Sequence, residues 1–161
     1  MNELIQPLID CLKEETIRYR KLVELANQQR DLLVSGKTDL LPENVRLEEK
    51  EVFALGPLIA KRNELLAQMG MAYHLKTLSL TEALQKAPVE FIEDFKKAVI
   101  ELIQSAKRLE ETNQGNEKFL QKAVSYVNFT LKAIANGGKK QSFSPSAGLE
   151  EKKSSFVDRT V

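Results

Sequence analysis

One long run of heptads constrains this chain more than any other feature of its sequence. From Ile92 to Ile134, mostly apolar residues recur at alternating intervals of three and four positions over about six heptads. This spacing is typical of a helix in a left-handed, coiled-coil-like bundle. The seam comprises Ile92, Phe95, Val99, Leu102, Ala106, Leu109, Asn113, Asn116, Leu120, Ala123, Val127, Thr130 and Ile134.

The first part of the chain predicts another long helix, from about Asn2 to Ser35. Its apolar residues have the spacing of one buried helix face. Gly36 follows and suits the left-handed conformation that ends a helix, and Thr38 or Asp39 is a candidate cap for the next one. Cys11 neighbours the buried face, and we interpret it as a small core residue.

The next segment predicts a second helix, from about Leu40 to Met69. Its apolar line includes Val45 and Val52, which we expect to be buried. Pro57 lies within the segment, where a proline kinks or splits a helix. Gly70 is the predicted end of this helix.

A connector with one short helix joins the second and third long helices. Ser79 and Glu82 have the spacing of a capping box at its start. After Gly137 the sequence is rich in Ser, Lys and Glu, and its apolar residues follow no regular spacing. We therefore expect this tail to be disordered when no partner is bound. The sequence therefore predicts an all-α, elongated, antiparallel three-helix bundle over residues 1–136, with a short connector helix, and a flexible C-terminal tail over residues 137–161.

The three long helices differ in length. At about 1.5 Å per residue, the third would be roughly 70 Å long and the first about 50 Å. If neighbours are antiparallel, the third helix extends past the turn at Gly36 by about 14 residues. Those residues, about 120 to 135, have an apolar face without a remaining partner, which indicates an interaction site. The predicted apolar binding residues are Phe119, Leu120, Ala123, Val124, Val127, Leu131 and Ile134.

The stretch Thr112–Asn116 is the weakest part of the third helix. Gly115 costs about 1 kcal/mol relative to Ala in a helix interior, so the helix could instead break there and fold back. Asn113 and Asn116 occupy consecutive seam positions, where asparagine fixes register or hydrogen-bonds a partner's backbone. A solvated polar layer is the alternative interpretation.

No catalytic, metal or phosphate-binding motif is recognisable, so we expect a protein that is not an enzyme and needs no cofactor. Glu15, Glu48 and Arg62 interrupt the apolar lines, and we interpret them as charges that pair or snorkel at the edge of the core. A net charge of +1 with both signs interspersed does not favour nucleic acid. No apolar run approaches the roughly 20 residues that span a bilayer, and a single cysteine fits a reducing compartment.

Four stretches of the chain resemble flagellar export chaperones of the FlgN type. They are Leu32–Lys37, Leu47–Glu51, Asn113–Asn116 ahead of an apolar heptad run, and Phe143–Gly148 in the tail. The resemblance covers most of the chain. It implies a cytosolic chaperone that binds the C-terminal helices of hook–filament junction proteins, prevents their premature assembly and delivers them to the flagellar type III export gate.

The resemblance also implies roles for particular residues. The tail of such proteins takes part in docking to the export gate, which assigns this role to Phe143, where the family commonly has a tyrosine. Asn113 and Asn116 join the seven apolar residues in the predicted client-binding site. The alternative function is that of a structural coiled-coil protein that self-associates through the same apolar face.

Overall fold

The computed structural model describes residues 2–136, and within them the chain is helical without a strand. Helix α1 spans Asn2–Ser35, α2 spans Leu41–Met71, α3 spans Leu80–Gln85 and α4 spans Val89–Ala135, and a 3-10 turn occupies Thr38–Leu40. The predicted all-α helical bundle is confirmed. None of these helices is both long and apolar enough to span a membrane.

The chain divides by compactness into two units, Met1–Asn113 and Gln114–Val161. The first unit contains α1, α2, α3 and the N-terminal part of α4, and the remainder of α4 belongs to the second. The predicted domain boundary after residue 136 stays a prediction, because residues 137–161 lie outside the described part.

Within the first unit, α1 and α2 are antiparallel neighbours. Near the end of α1, the Leu25 carbonyl accepts a hydrogen bond from Asn44 Nδ2 at 3.0 Å. Closer to the start of α1, Arg18 Nη1 pairs with Glu51 Oε2, also at 3.0 Å. Partner numbers thus rise along α2 as they fall along α1, as a short connection requires.

The start of α4 packs on the same core. Phe95 is fully buried, and Arg20 Nη2 of α1 lies 3.5 Å from Glu101 Oε2 of α4. The third long helix therefore begins beside the N-terminal half of α1. The buried apolar cluster is formed by Ile5, Leu8, Ile9, Leu12, Leu65, Leu66, Met69, Leu78, Ala83, Phe95, Ala98 and Leu102.

The end of α1 has the predicted glycine geometry. Gly36 has a φ of 71°, in the left-handed region that favours glycine. The N–H groups of Gly36 and Lys37 donate to the carbonyls of Leu33 and Leu32, at 3.3 and 3.0 Å. These two bonds satisfy carbonyls that the last turn would leave without donors.

The start of α3 is a capping box, again as predicted. The Ser79 hydroxyl accepts from the Glu82 N–H at 3.2 Å. In return, Glu82 Oε2 accepts from the Ser79 N–H at 2.8 Å. A six-residue helix has few bonds of its own, so this reciprocal pair matters to its stability.

The predicted bounds of α2 hold to within two residues, but its predicted cap and its predicted end at Gly70 are wrong. Thr38 and Asp39 belong to the 3-10 turn, and Leu40 precedes α2 without a side-chain cap. At the other end, α2 continues past Gly70. Gly70 serves a different purpose, because a Cβ there would lie 2.8 Å from the Thr77 Cα atom of the connector. This close approach of two backbone segments requires glycine.

Two possible breaks in the long helices do not occur. Pro57 lies inside α2, which is assigned as one helix. Gly115 lies inside α4, so the alternative of a helix that folds back at this point is wrong. The cost of about 1 kcal/mol for one glycine is small against the helix-forming residues on both sides.

On both α2 and α4, the line of buried residues differs from the line predicted from the sequence. In alternate turns it is displaced by one residue. On α2, Asn44 is buried, whereas Val45 and Val52 are exposed and their predicted burial is wrong. On α4, Ser105 is buried, whereas the sequence predicted the neighbouring residue Ala106 as the seam residue of that turn. Residues at i+3 and i+4 fall near the same helix face, so apolar spacing alone does not select between them.

A charged pair lies inside the core. Glu15 has no exposed surface, and its Oε2 accepts from Arg62 Nη1 at 2.7 Å. The Cys11 thiol lies 3.9 Å from Glu15 Oε1 and donates to the Leu58 carbonyl at 3.2 Å. The interpretation of Cys11 as a core residue is confirmed. Glu15 is paired as expected, but it does not lie at the edge of the core.

Candidate functional site

The second unit carries a line of exposed apolar side chains on α4. Successive members are three or four residues apart, which places them on one side of the helix. Their exposed fractions run from 42% at Leu120 to 71% at Ile134. We call this line the α4 apolar face, and it consists of Leu120, Val124, Val127, Leu131 and Ile134.

The residues that border this face are uncharged between positions 120 and 134. By helical spacing, Ala123 and Thr130 lie along one edge, and Gln121 and Asn128 lie along the other. Hydrophobic contact rather than charge would therefore dominate binding here. The apolar side of another amphipathic helix has the matching chemistry.

Most of the predicted client-binding residues are accessible. Leu120, Ala123, Val124, Val127, Leu131 and Ile134 are exposed, and Phe119 is half-buried. The two asparagines differ. Asn113, the last residue of the first unit, is exposed, whereas Asn116 is only 2% exposed and makes an interaction within the structure. A solvated polar layer is therefore wrong for Asn116. Phe143 lies outside the described residues.

Sequence reasoning missed a second exposed apolar surface, on α2. Phe53 is 87% exposed beside Val52, and Val45 lies two turns earlier on the same helix. The signal that could have found it is the polar residue immediately before each valine, Asn44 and Glu51. Both of these side chains bond to α1, which turns the valines outward.

No grouping of side chains suggests metal binding within residues 2–136, where no three His, Cys, Asp or Glu residues cluster suitably. His74 is exposed and has a φ of 57° in the turn that follows α2. Glu48 is half-buried, and its burial raises the pKa of its carboxyl group. The exposed apolar surfaces on α4 and α2 are the candidate sites among the described residues.

Comparison with known proteins gives one family. The model of the FlgN protein family matches residues 1–151. That range includes all four helices and most of the sequence. No curated protein and no solved structure matches the chain.

Proposed function

The chain belongs to the FlgN family of flagellar export chaperones, and we propose that it binds the C-terminal helices of hook–filament junction proteins in the cytoplasm. There it prevents their premature assembly and delivers them to the export gate. FlgN proteins are chaperones rather than enzymes. The observation that carries the proposal is the α4 apolar face, which leaves a helical line of side chains uncovered.

The geometry of the face suits a helical client. From Leu120 to Ile134 it extends for about 21 Å, at 1.5 Å per residue. A client helix of similar length would pack along it with interdigitating side chains, as in a two-stranded coiled coil. While the client is bound, its own apolar side is covered, and so it is unavailable for assembly.

The strength of such a complex follows from the exposed area. Burying a half-exposed Val, Leu or Ile contributes about 1 kcal/mol, and the client's side chains contribute a similar amount. Part of this gain is offset by the entropy lost on association. We expect a dissociation constant of about 1 μM, which allows the client to be released at the export gate.

Further roles rest on the family resemblance. We propose that Phe143 docks to the export gate, and that Asn113 and Asn116 take part in client binding together with Phe119 and Ala123. Asn116 is buried in the described structure, so its side chain must become accessible before it can bond to a client.

A pair of matched substitutions tests the client site. Val127→Asp places a carboxylate in the α4 apolar face, and Lys122→Asp places one on the opposite side of the same stretch, where Lys122 is exposed. We expect Val127→Asp to weaken binding of a C-terminal peptide from a hook–filament junction protein about a hundredfold, because a buried carboxylate lacks a partner. Lys122→Asp should bind as the wild type does. Isothermal titration calorimetry measures both, and circular dichroism checks that both keep their helices.

Two results would contradict the proposal. If Val127→Asp binds the client peptide with wild-type affinity, the client site is not the α4 apolar face. If analytical ultracentrifugation shows a tight homodimer that Val127→Asp dissociates and client peptides do not, the alternative of a self-associating structural protein is favoured.

A further inference from the structure

A second exposed surface lies in the first unit, on the N-terminal half of α2. An open groove there is lined by Val45, Glu48, Glu49, Val52 and Phe53. These residues are spaced by three, four, seven and eight positions from Val45, so they share one side of the helix. We call this surface the α2 strip. Its most exposed member is Phe53, an aromatic residue of the kind that is enriched in protein interfaces.

The α2 strip is exposed because α1 contacts the neighbouring line of residues. Asn44 donates to the Leu25 carbonyl of α1, and Glu51 pairs with Arg18 of the same helix. Turning α2 to bury the strip against α1 would break both contacts. The fold therefore keeps this apolar surface available to another molecule.

The charge of the strip is negative and uncompensated. Within residues 2–136, no lysine, arginine or histidine lies within ion-pair distance of Glu48 or Glu49. Two cations of this region pair with other carboxylates instead, since Arg46 holds Glu43 at 2.7 Å and Lys21 lies 3.9 Å from Glu51. Glu48 is half-buried, where an unpaired carboxylate is costly. A positive charge brought by a partner would relieve this cost.

The far end of the strip offers a hydrogen-bond acceptor. Pro57 has no N–H, so the Phe53 carbonyl lacks the donor that the residue four positions later normally supplies in an α-helix. Gly56 has no side chain, and a Cβ added to it would meet nothing within 4 Å. A donor from a partner could therefore approach this turn closely.

The same charges disfavour a second copy of this chain as the occupant. In a two-fold symmetric contact each copy presents the same residues to the other. Glu48 and Glu49 of one copy would then face those of its partner, and like charges at close range repel. A partner with the opposite charge fits better.

We propose that the α2 strip is a second docking surface, which binds an amphipathic helix of another protein whose apolar side is bordered by lysine or arginine residues. Val45, Val52 and Phe53 contact the apolar side of that helix, and Glu48 and Glu49 pair with its cations. This surface is separate from the α4 apolar face and does not depend on the function proposed for that face.

The test uses the full chain and two synthetic amphipathic peptides. The peptides share one apolar side, which is bordered by lysines in the first and by glutamates in the second. Fluorescence anisotropy should show binding of the lysine peptide, and salt should weaken it because charges are involved. Phe53→Ser and the double variant Glu48→Gln/Glu49→Gln should each weaken it about tenfold. Val127→Asp, in the α4 apolar face, should leave it unchanged.

Several results would overturn the proposal. Equal binding of the glutamate peptide, or wild-type binding of the lysine peptide by Phe53→Ser, would remove the assigned chemistry. A second experiment replaces Phe53 with a photo-crosslinking amino acid and irradiates the chain with no peptide added. The crosslinked product then shows whether something other than a basic helix occupies the strip. Capture of residues 137–161 would assign the strip to the chain's own tail, and capture of a second copy would make it a homodimer contact.

The proposal and the client-binding function fail separately. Phe53→Ser should retain wild-type affinity for the client peptide, whereas Val127→Asp should lose the client peptide and retain the lysine peptide. Loss of client binding in Phe53→Ser would show that the two surfaces are not independent sites.

Discussion

Glu15 of α1 and Arg62 of α2 form an ion pair in the core of the first unit, with 2.7 Å between Glu15 Oε2 and Arg62 Nη1. The carboxylate is fully buried, whereas the Arg62 side chain keeps 21% of its surface exposed. The other carboxylate oxygen has a thiol, Cys11, at 3.9 Å, which is a weak donor. Arg62 is therefore the strong partner of this carboxylate among the described residues.

Removing Arg62 should destabilise the fold strongly. Arg62→Met keeps much of the side-chain volume but leaves Glu15 buried without a countercharge, and we expect a loss of about 3 kcal/mol in the free energy of unfolding. Urea denaturation at pH 7 measures it. The matched control is the double variant Glu15→Leu/Arg62→Met, which should be within about 1 kcal/mol of the wild type. A single variant no less stable than the double variant would contradict this role for the pair.

The buried carboxylate should also make stability depend on pH. Burial, the largest influence, raises the pKa of Glu15 above its ordinary value of 4.5, and Arg62 opposes this. A raised pKa in the folded state means that the group stabilises most below pH 4.5 and loses this contribution as pH rises through the folded pKa. The Glu15→Gln variant has no carboxyl group at this position to titrate. Its free energy of unfolding relative to the wild type should therefore rise between pH 4.5 and the folded pKa of Glu15, and stay level above it.

Comparing the wild type with Glu15→Gln separates the effect of Glu15 on stability from the effects of the other carboxyl groups. The pKa of Glu48 is also raised by burial, and that of Glu43 is lowered by its hydrogen bond with Arg46, but both are present in each protein. Urea unfolding at a series of pH values gives the difference. A difference that does not vary with pH would show that Glu15 titrates alike in the folded and unfolded chains.

Cys11 should be inert in the folded protein. Burial raises the pKa of its thiol, and the Glu15 carboxylate raises it further, so the reactive thiolate is disfavoured. We expect a thiol reagent to modify Cys11 only as fast as the protein unfolds. The control is Ser35→Cys in a Cys11→Ala background, whose exposed thiol should react at the rate of a free cysteine. Fast modification of Cys11 at low denaturant would contradict its core position.

Gly70 should resist substitution although it lies in a helix. Ala has the better helix propensity by about 1 kcal/mol, but its Cβ would lie 2.8 Å from the Thr77 Cα atom. Overpacking of this kind costs about 1–3 kcal/mol, so we expect Gly70→Ala to destabilise the protein in urea denaturation. Gln68→Ala, on the exposed side of the same turn, should change stability by less than about 0.5 kcal/mol. A stabilised Gly70→Ala would show that the connector moves away without cost.

Features decided by local chemistry could be read from the sequence. The glycine at the end of α1 and the Ser79–Glu82 capping box depend on residues within one helical turn of each other. Both were predicted correctly for that reason. Gly70 has the same residue type as Gly36, but the sequence does not show that the connector returns to it, so its role was missed.

The candidate site was partly predictable. The length of the third helix and its apolar spacing indicated exposed side chains after residue 119, and Leu120, Val124 and Val127 are exposed in the structure. That they bind a client stays a prediction. Asn116 had the same polar character as Asn113 in the sequence, yet one is buried and the other exposed.

The long helices and their apolar sides were thus determined by the sequence itself, because the helical period, a glycine and a cap act over a few residues. The tertiary structure alone decided which of two adjacent lines on α2 faces α1. Asn44 and Glu51 face inward because the Leu25 carbonyl and the Arg18 guanidinium of α1 are their partners. Those partners are distant in the chain, and apolar spacing carries no information about them. The exposure of Val45, Val52 and Phe53, and with it the α2 strip, follows from this choice.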